Sequence, residues 1–167
     1  MSSIKIIAEQ FALQTRLFNN VLDGLEESQG GWRITDSVNH LQWIAGHLVN
    51  ARYNYAPMLG IRAIFPHRDL YVDPTMPPPG NRSIDSSLNY PALSELKRLW
   101  NEISPKFVET LYKLDDAQLN RELSFDTPIR DNSMLGLLGF LSSHESSHIG
   151  QMSIIRRFLG LKAMTYN

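Results

Sequence analysis

The chain of 167 residues is long enough for one self-sufficient core and contains no cysteine, which excludes disulfides, thiolate metal ligands and a cysteine nucleophile. Its 16 Lys and Arg nearly balance 17 Asp and Glu and lie scattered, so neither a nucleic acid nor an anionic membrane surface is expected as partner. MSSIKIIAEQF carries charge inside its first apolar run without a small-residue cleavage site, and no window reaches the ~18 apolar residues of a membrane span; the expectation is a cytoplasmic protein with a single domain over 1–167.

From residue 3 to about 25, Ile4, Ile7, Phe11, Phe18, Leu22 and Leu25 recur at helical spacing, with Ser2 or Ser3 placed as N-cap and Gly24 or Gly30 and Gly31 near the stop. After a polar connector, Asp36, Ser37 or Asn39 is placed to cap a second helix running to about Tyr55, where Pro57 ends it. Its apolar face is Leu41, Ile44, Leu48 and Ala51, flanked by His40 and His47. Between Gly60 and Asn89 the periodicity fails amid Pro66, Pro74, Pro77, Pro78, Pro79 and Gly80. Phe65, Leu70, Tyr71, Val72 and Met76 in that segment suit chain folded down over one side of a pocket better than a solvated linker. Pro91 opens a third helix with the stripe Leu93, Leu96, Trp100, Ile103, Phe107, Leu111 and Leu114, which Pro105 is expected to kink. Residues 115–123 read as a short helical turn, and Asn132 or Ser133 caps a fourth long helix ending near Gly160. No stretch alternates as a strand does. The expected fold is therefore all-α, a four-helix bundle with a long irregular segment between its second and third helices.

The last helix holds the chemistry. HESSH at 144–148 matches H-E-x-x-H, in which two histidines one turn apart bind a metal and the glutamate acts on its bound water. His144 and His148 fall on the inward face with Cβ atoms about 6 Å apart, so both imidazoles can turn toward one point. A metallopeptidase draws a further ligand from downstream, yet the 19 residues after His148 contain no Asp, Glu or His, so a third ligand has to come from upstream. His47, beside the stripe of the second helix, is the leading candidate and His40 its competitor. Glu145 is a general base only if it reaches metal-bound water, and otherwise an ordinary solvated helix residue. Gln151 lies one turn past His148, placed to bond a ligand or to sit in an interface. Arg52, Arg156 and Arg157 are either holders of a carboxylate or thiol cosubstrate or plain surface arginines, and His67 reads as exposed.

GHLVNAR at 46–52 and HESSHIGQMSIIRRFLG at 144–160 resemble the two histidine motifs of the DinB/YfiT-like superfamily of metal-binding four-helix bundles, as do the approach through Asn39 and Trp43 and the pair Gly150-Gln151. The resemblance implies His47, His144 and His148 as ligands of one divalent ion, zinc or nickel first, with iron and manganese compatible with imidazole and water ligation. His40 falls where the superfamily varies. The resemblance further implies a homodimer acting on a small molecule as a thiol-dependent S-transferase or as a hydrolase. With no cysteine in the chain, a low-molecular-weight thiol would arrive as cosubstrate. The competing expectation is a non-catalytic bundle that binds a ligand or partner helix, its histidines bonded to backbone or water.

Overall fold

The computed structural model describes residues 3–76 and 80–166. Ser2, the side chain of Ser3 and Pro77, Pro78 and Pro79 lie outside the described residues, and with them the expected first cap. Long helices form where the apolar pattern holds its period: α1 (Ser3–Leu22), α2 (Leu41–Tyr55), α3 (Leu93–Leu111) and, after the short α4 (Asp116–Leu119), α5 (Met134–Phe158). α1 stops before Gly24, whose φ of 72° lies in the left-handed region that glycine adopts without a steric penalty.

The start of α2 departs from expectation, since none of Asp36, Ser37 and Asn39 caps it. Arg33 gathers the Asp36 and Val38 carbonyls into a separate turn, and His40 becomes the N-cap, its Nδ1 accepting the Trp43 amide at 3.0 Å. α3 has no local side-chain cap either. Glu27, from the preceding connector, accepts the Leu93 and Ser94 amides at 2.6 and 2.9 Å, placing a negative charge at the helix start. α3 runs on through Pro105 and ends at Leu111, short of Leu114. Ser133 rather than Asn132 caps α5, its hydroxyl accepting the Gly136 amide at 3.1 Å.

α1 packs against α3 and α5, and α2 packs against the same two helices from the other side. Consecutive helices α1 and α2 therefore stand on opposite corners of the bundle, joined by the connector at 23–40. The fold is an all-α four-helix bundle. Among the described residues, extended backbone pairs only as isolated bridges, Val72 with Asn81 and Glu122 with Ser133. The core is aromatic at its centre, with Phe18 stacked on Trp100 at 4.2 Å between ring centroids and Phe11 against Phe107 at 5.2 Å. No helix of the described residues is long and apolar enough to cross a membrane.

Among its described residues, the segment from Gly60 to Asn89 is irregular apart from one 3-10 turn at Arg68–Leu70 and the bridge of Val72 to Asn81. Phe65 and Tyr71 are buried, whereas Met76, expected to pack down with them, is exposed. Tyr71 lies directly on Gly46, where a Cβ would stand 1.9 Å from the tyrosine oxygen. Only glycine at position 46 lets that ring seat, and its burial is worth on the order of 2 kcal/mol. The residue next to His47 is thus fixed by packing.

Candidate metal centre

α2 and α5 present matched stripes to each other. His47, Asn50, Ala51 and Asn54 from α2, and Leu137, Phe140, Leu141 and His144 from α5, each follow the i, i+3, i+4, i+7 rule and line a cleft of about 400 Å³. Both series have a histidine at one end, so the cleft opens out from the imidazoles. Tyr55 at the end of α2 adds to the lining, as do Phe125, Asp126, Thr127 and Pro128 just ahead of α5 and Asn81 from the 60–89 segment. Among the described residues, Asn81 is what that segment contributes to the lining.

The structure brings His47, His144 and His148 together. One ligand atom from each lies within 4.8 Å of the others, and the ring centroids are 4.6 to 4.9 Å apart. His47 Nε2 and His144 Nε2 face each other at 2.9 Å. Two nitrogens held about 2.0–2.1 Å from one ion stand roughly 3 Å apart, so this spacing suits a shared metal. Trp43, one turn before His47, stacks on it at 5.1 Å with planes 6° apart and holds the ring's orientation. Gln151 Oε1 lies 2.8 Å from His148 Nδ1; a hydrogen donated from that nitrogen leaves the Nε2 lone pair free to ligate. Burial pushes the pKa of His47 down to about 3, with the neighbouring His148 and His144 adding to it, and that of His144 to about 4, with His148 adding. His148 is also lowered by burial, against the bond to Gln151. All three are neutral near neutral pH, the form that ligates a metal. His47 Nδ1 and His144 Nδ1 have no hydrogen-bond partner among the described residues. Three neutral imidazoles converging from facing helices are a donor set that a divalent zinc, nickel or iron ion fits.

Glu145 is placed elsewhere. One residue on from His144 its side chain is turned by about 100°, and both carboxylate oxygens accept from Arg52, Nε and Nη2, at 2.8 Å each. Arg52 Nη1 donates to Thr15 Oγ1 at 2.8 Å, Nη2 also donates to the Phe11 carbonyl at 3.1 Å, and the guanidinium lies 3.7 Å above Trp100. Complete burial raises the pKa of the Glu145 carboxyl and the facing guanidinium opposes that rise. Its oxygens are thus committed to an ion pair and do not join the histidine cluster, which is the geometry a base on metal-bound water lacks. Nor is Glu145 the solvated residue of the other expectation, being 2% exposed. Arg156 is buried as well, donating to the backbone of Val21, Asp23 and Lys162, while Arg157 is exposed. His40 sits apart from the triad as the cap of α2, edge-on to Tyr90 at 5.1 Å, and His67 is half-buried 3.8 Å from Glu95.

The sequence profile of the DinB superfamily matches residues 10–152. The chain belongs to the DinB superfamily. Its structure is similar to that of YfiT from Bacillus subtilis, described as a probable metal-dependent hydrolase with an unusual four-helix bundle topology; the two share 18% identity over 93% of this chain and 89% of that one, with a TM-score of 0.62. No curated protein sequence matches the chain. In this DinB superfamily protein the sequence reading missed three things: the Arg52–Glu145 pair, the Phe125–Pro128 wall and Asn50. The first carried a signal, since Arg52 follows Ala51 on the buried side of α2 and an interior arginine demands a partner. The wall carried none, because irregular chain has no period to read.

Proposed function

We propose that this protein is a metal-dependent enzyme acting on a small molecule, with His47, His144 and His148 holding one divalent ion and the α2–α5 cleft receiving the substrate. The carrying observation is the convergence of those three imidazoles at the end of a cleft large enough for a small ligand. Three protein ligands leave positions for water and substrate, and an ion so held supplies a water of pKa near ~7 or polarises a carbonyl. Zinc or nickel is the first expectation, with iron or manganese next. Hydrolysis is the leading reaction class, in keeping with the description of YfiT. Transfer to a low-molecular-weight thiol is the finer alternative drawn from the resemblance.

Glu145 enters this reading as a positioning residue. Its bidentate pair with Arg52 ties α5 to α2 beside His144 and His47, so the two helices keep the register that brings the imidazoles together. A homodimer belongs to the same reading, with exposed Ile6 on α1 and Ile154 on α5 as apolar surface available to a partner copy.

The test is a reconstitution. Protein loaded with zinc or nickel and assayed on ester, amide and thiol-transfer substrates, with and without glutathione, is expected to turn over at least one class in wild type and none in His47→Ala. A preparation that takes up no stoichiometric metal, with its ligand binding unaltered in His47→Ala, would establish the non-catalytic bundle instead.

A further inference from the structure

The cleft walls are specific about charge. Of the described residues that line it, none is Lys or Arg, and the single charged side chain among them is Asp126, which is exposed. Three carboxamides, Asn50, Asn54 and Asn81, supply the polar contacts, and Tyr55, Phe125 and Phe140 supply aromatic surface. A carboxylate or phosphate entering such a cleft loses hydration and finds no cation beyond a metal at the histidines, while Asp126 repels it.

Asn50 points to the other half of the recognition. It stands one turn beyond His47 on the cleft-lining stripe of α2 and is 2% exposed, and its Oδ1 has no hydrogen-bond partner among the described residues. Buried polar atoms are nearly always paired, so an unpaired carboxamide at a cleft wall marks a place where a ligand completes the bonding. Placed beside the histidines, it can pair with an N–H or O–H next to the group that a metal would hold.

We propose that the cleft takes substrates that are uncharged or cationic away from the metal-bound group, carry an amide-like N–H or O–H for the Asn50 carboxamide, and lack an anionic tail. The inference rests on the metal-centred reading of the site and adds the substrate class to it. Discrimination comes from Asn50 near the histidines and from exposed Asp126.

Calorimetric titration of the zinc-loaded protein with three matched probes tests it: benzohydroxamate, its 4-aminomethyl analogue and its 4-carboxy analogue, with metal content measured on every preparation. The carboxy probe is expected to bind about fivefold to tenfold more weakly than the other two. Asn50→Leu, which keeps the branched skeleton and removes the polar atoms, is expected to weaken benzohydroxamate by about tenfold. Asp126→Asn, at an exposed position where folding is not at risk, is expected to narrow the gap between the carboxy and aminomethyl probes. Equal or tighter binding of the carboxy probe by metal-loaded wild type overturns the inference and leaves the metal reading standing. An unchanged affinity for benzohydroxamate in folded, metal-loaded Asn50→Leu does the same. If that variant fails to fold, the probe series on wild type and Asp126→Asn decides. A protein that takes up no zinc overturns both.

Discussion

Two polar clusters are buried between α2 and α5 on neighbouring residues, the Arg52–Glu145 pair and the His47–His144–His148 triad. In the pair every polar atom is occupied: both carboxylate oxygens bond the guanidinium, whose three nitrogens all donate, and its face lies on Trp100. In the triad the Nδ1 atoms of His47 and His144 have no partner among the described residues, and two Nε2 atoms face each other. The pair is saturated from within the fold, whereas the triad keeps unpartnered nitrogens, and the burial that depresses the imidazole pKa values keeps their lone pairs available. The contrast separates Glu145 from the histidines on either side of it, although HESSH presents them as one motif.

The largest effect should come from breaking the saturated cluster. Glu145→Gln leaves the Arg52 charge buried without its counter-ion and is expected to lose about 3–5 kcal/mol of stability in urea unfolding. Replacing both partners by methionine should recover most of that loss, because the uncompensated charge is gone. A base on metal-bound water would behave otherwise, losing turnover at unchanged stability.

A smaller effect is expected at the seat of Tyr71. Gly46→Ala puts a methyl into the tyrosine ring and should cost about 1–3 kcal/mol. In a Tyr71→Ala background the same substitution should cost far less, since the clash is removed. Equal costs in both backgrounds would show that contact with Tyr71 is not what reserves position 46 for glycine, since helix propensity by itself favours the alanine.

An effect of similar size is acid-dependent and lies outside both clusters. Burial, with the Arg33 charge adding, lowers the pKa of His40 from 6.5 to about 4. The unfolded chain binds this proton first, so the stability conferred by neutral His40 is present above pH ~6.5, falls as pH drops toward about 4 and levels below it. Protonation also removes the lone pair that accepts the Trp43 amide. His40→Asn keeps a cap without a titrating group, so its unfolding free energy should fall less than that of wild type between pH 6.5 and 4, by about 1–3 kcal/mol. Parallel curves for the two proteins would remove His40 from the account.

Much of the bundle was legible because amphipathic period is a local property. Leu93 to Leu111 and Ile4 to Leu22 announce a buried face whatever covers it. Which helix covers it is not local, so the diagonal placement of α1 and α2 left no mark on the sequence. His144 and His148 were legible together because four residues are one helical turn, whereas His47 gained its meaning from a facing helix. Long-range partners stayed hidden for the same reason, as with Glu27 at the start of α3 and Arg52 against Glu145. Asn50 was invisible because an asparagine on a helix reads as polar surface until its burial and its missing partner are seen.

The central claim is that the open cluster is a metal site made of these three imidazoles. X-ray absorption on zinc-reconstituted protein measures that directly. The expected result is one zinc per chain with a first shell of three imidazole nitrogens at about 2.0–2.1 Å plus oxygen ligands, and loss of that shell in His148→Ala. Absence of stoichiometric zinc, or the same nitrogen shell surviving in His148→Ala, would contradict it.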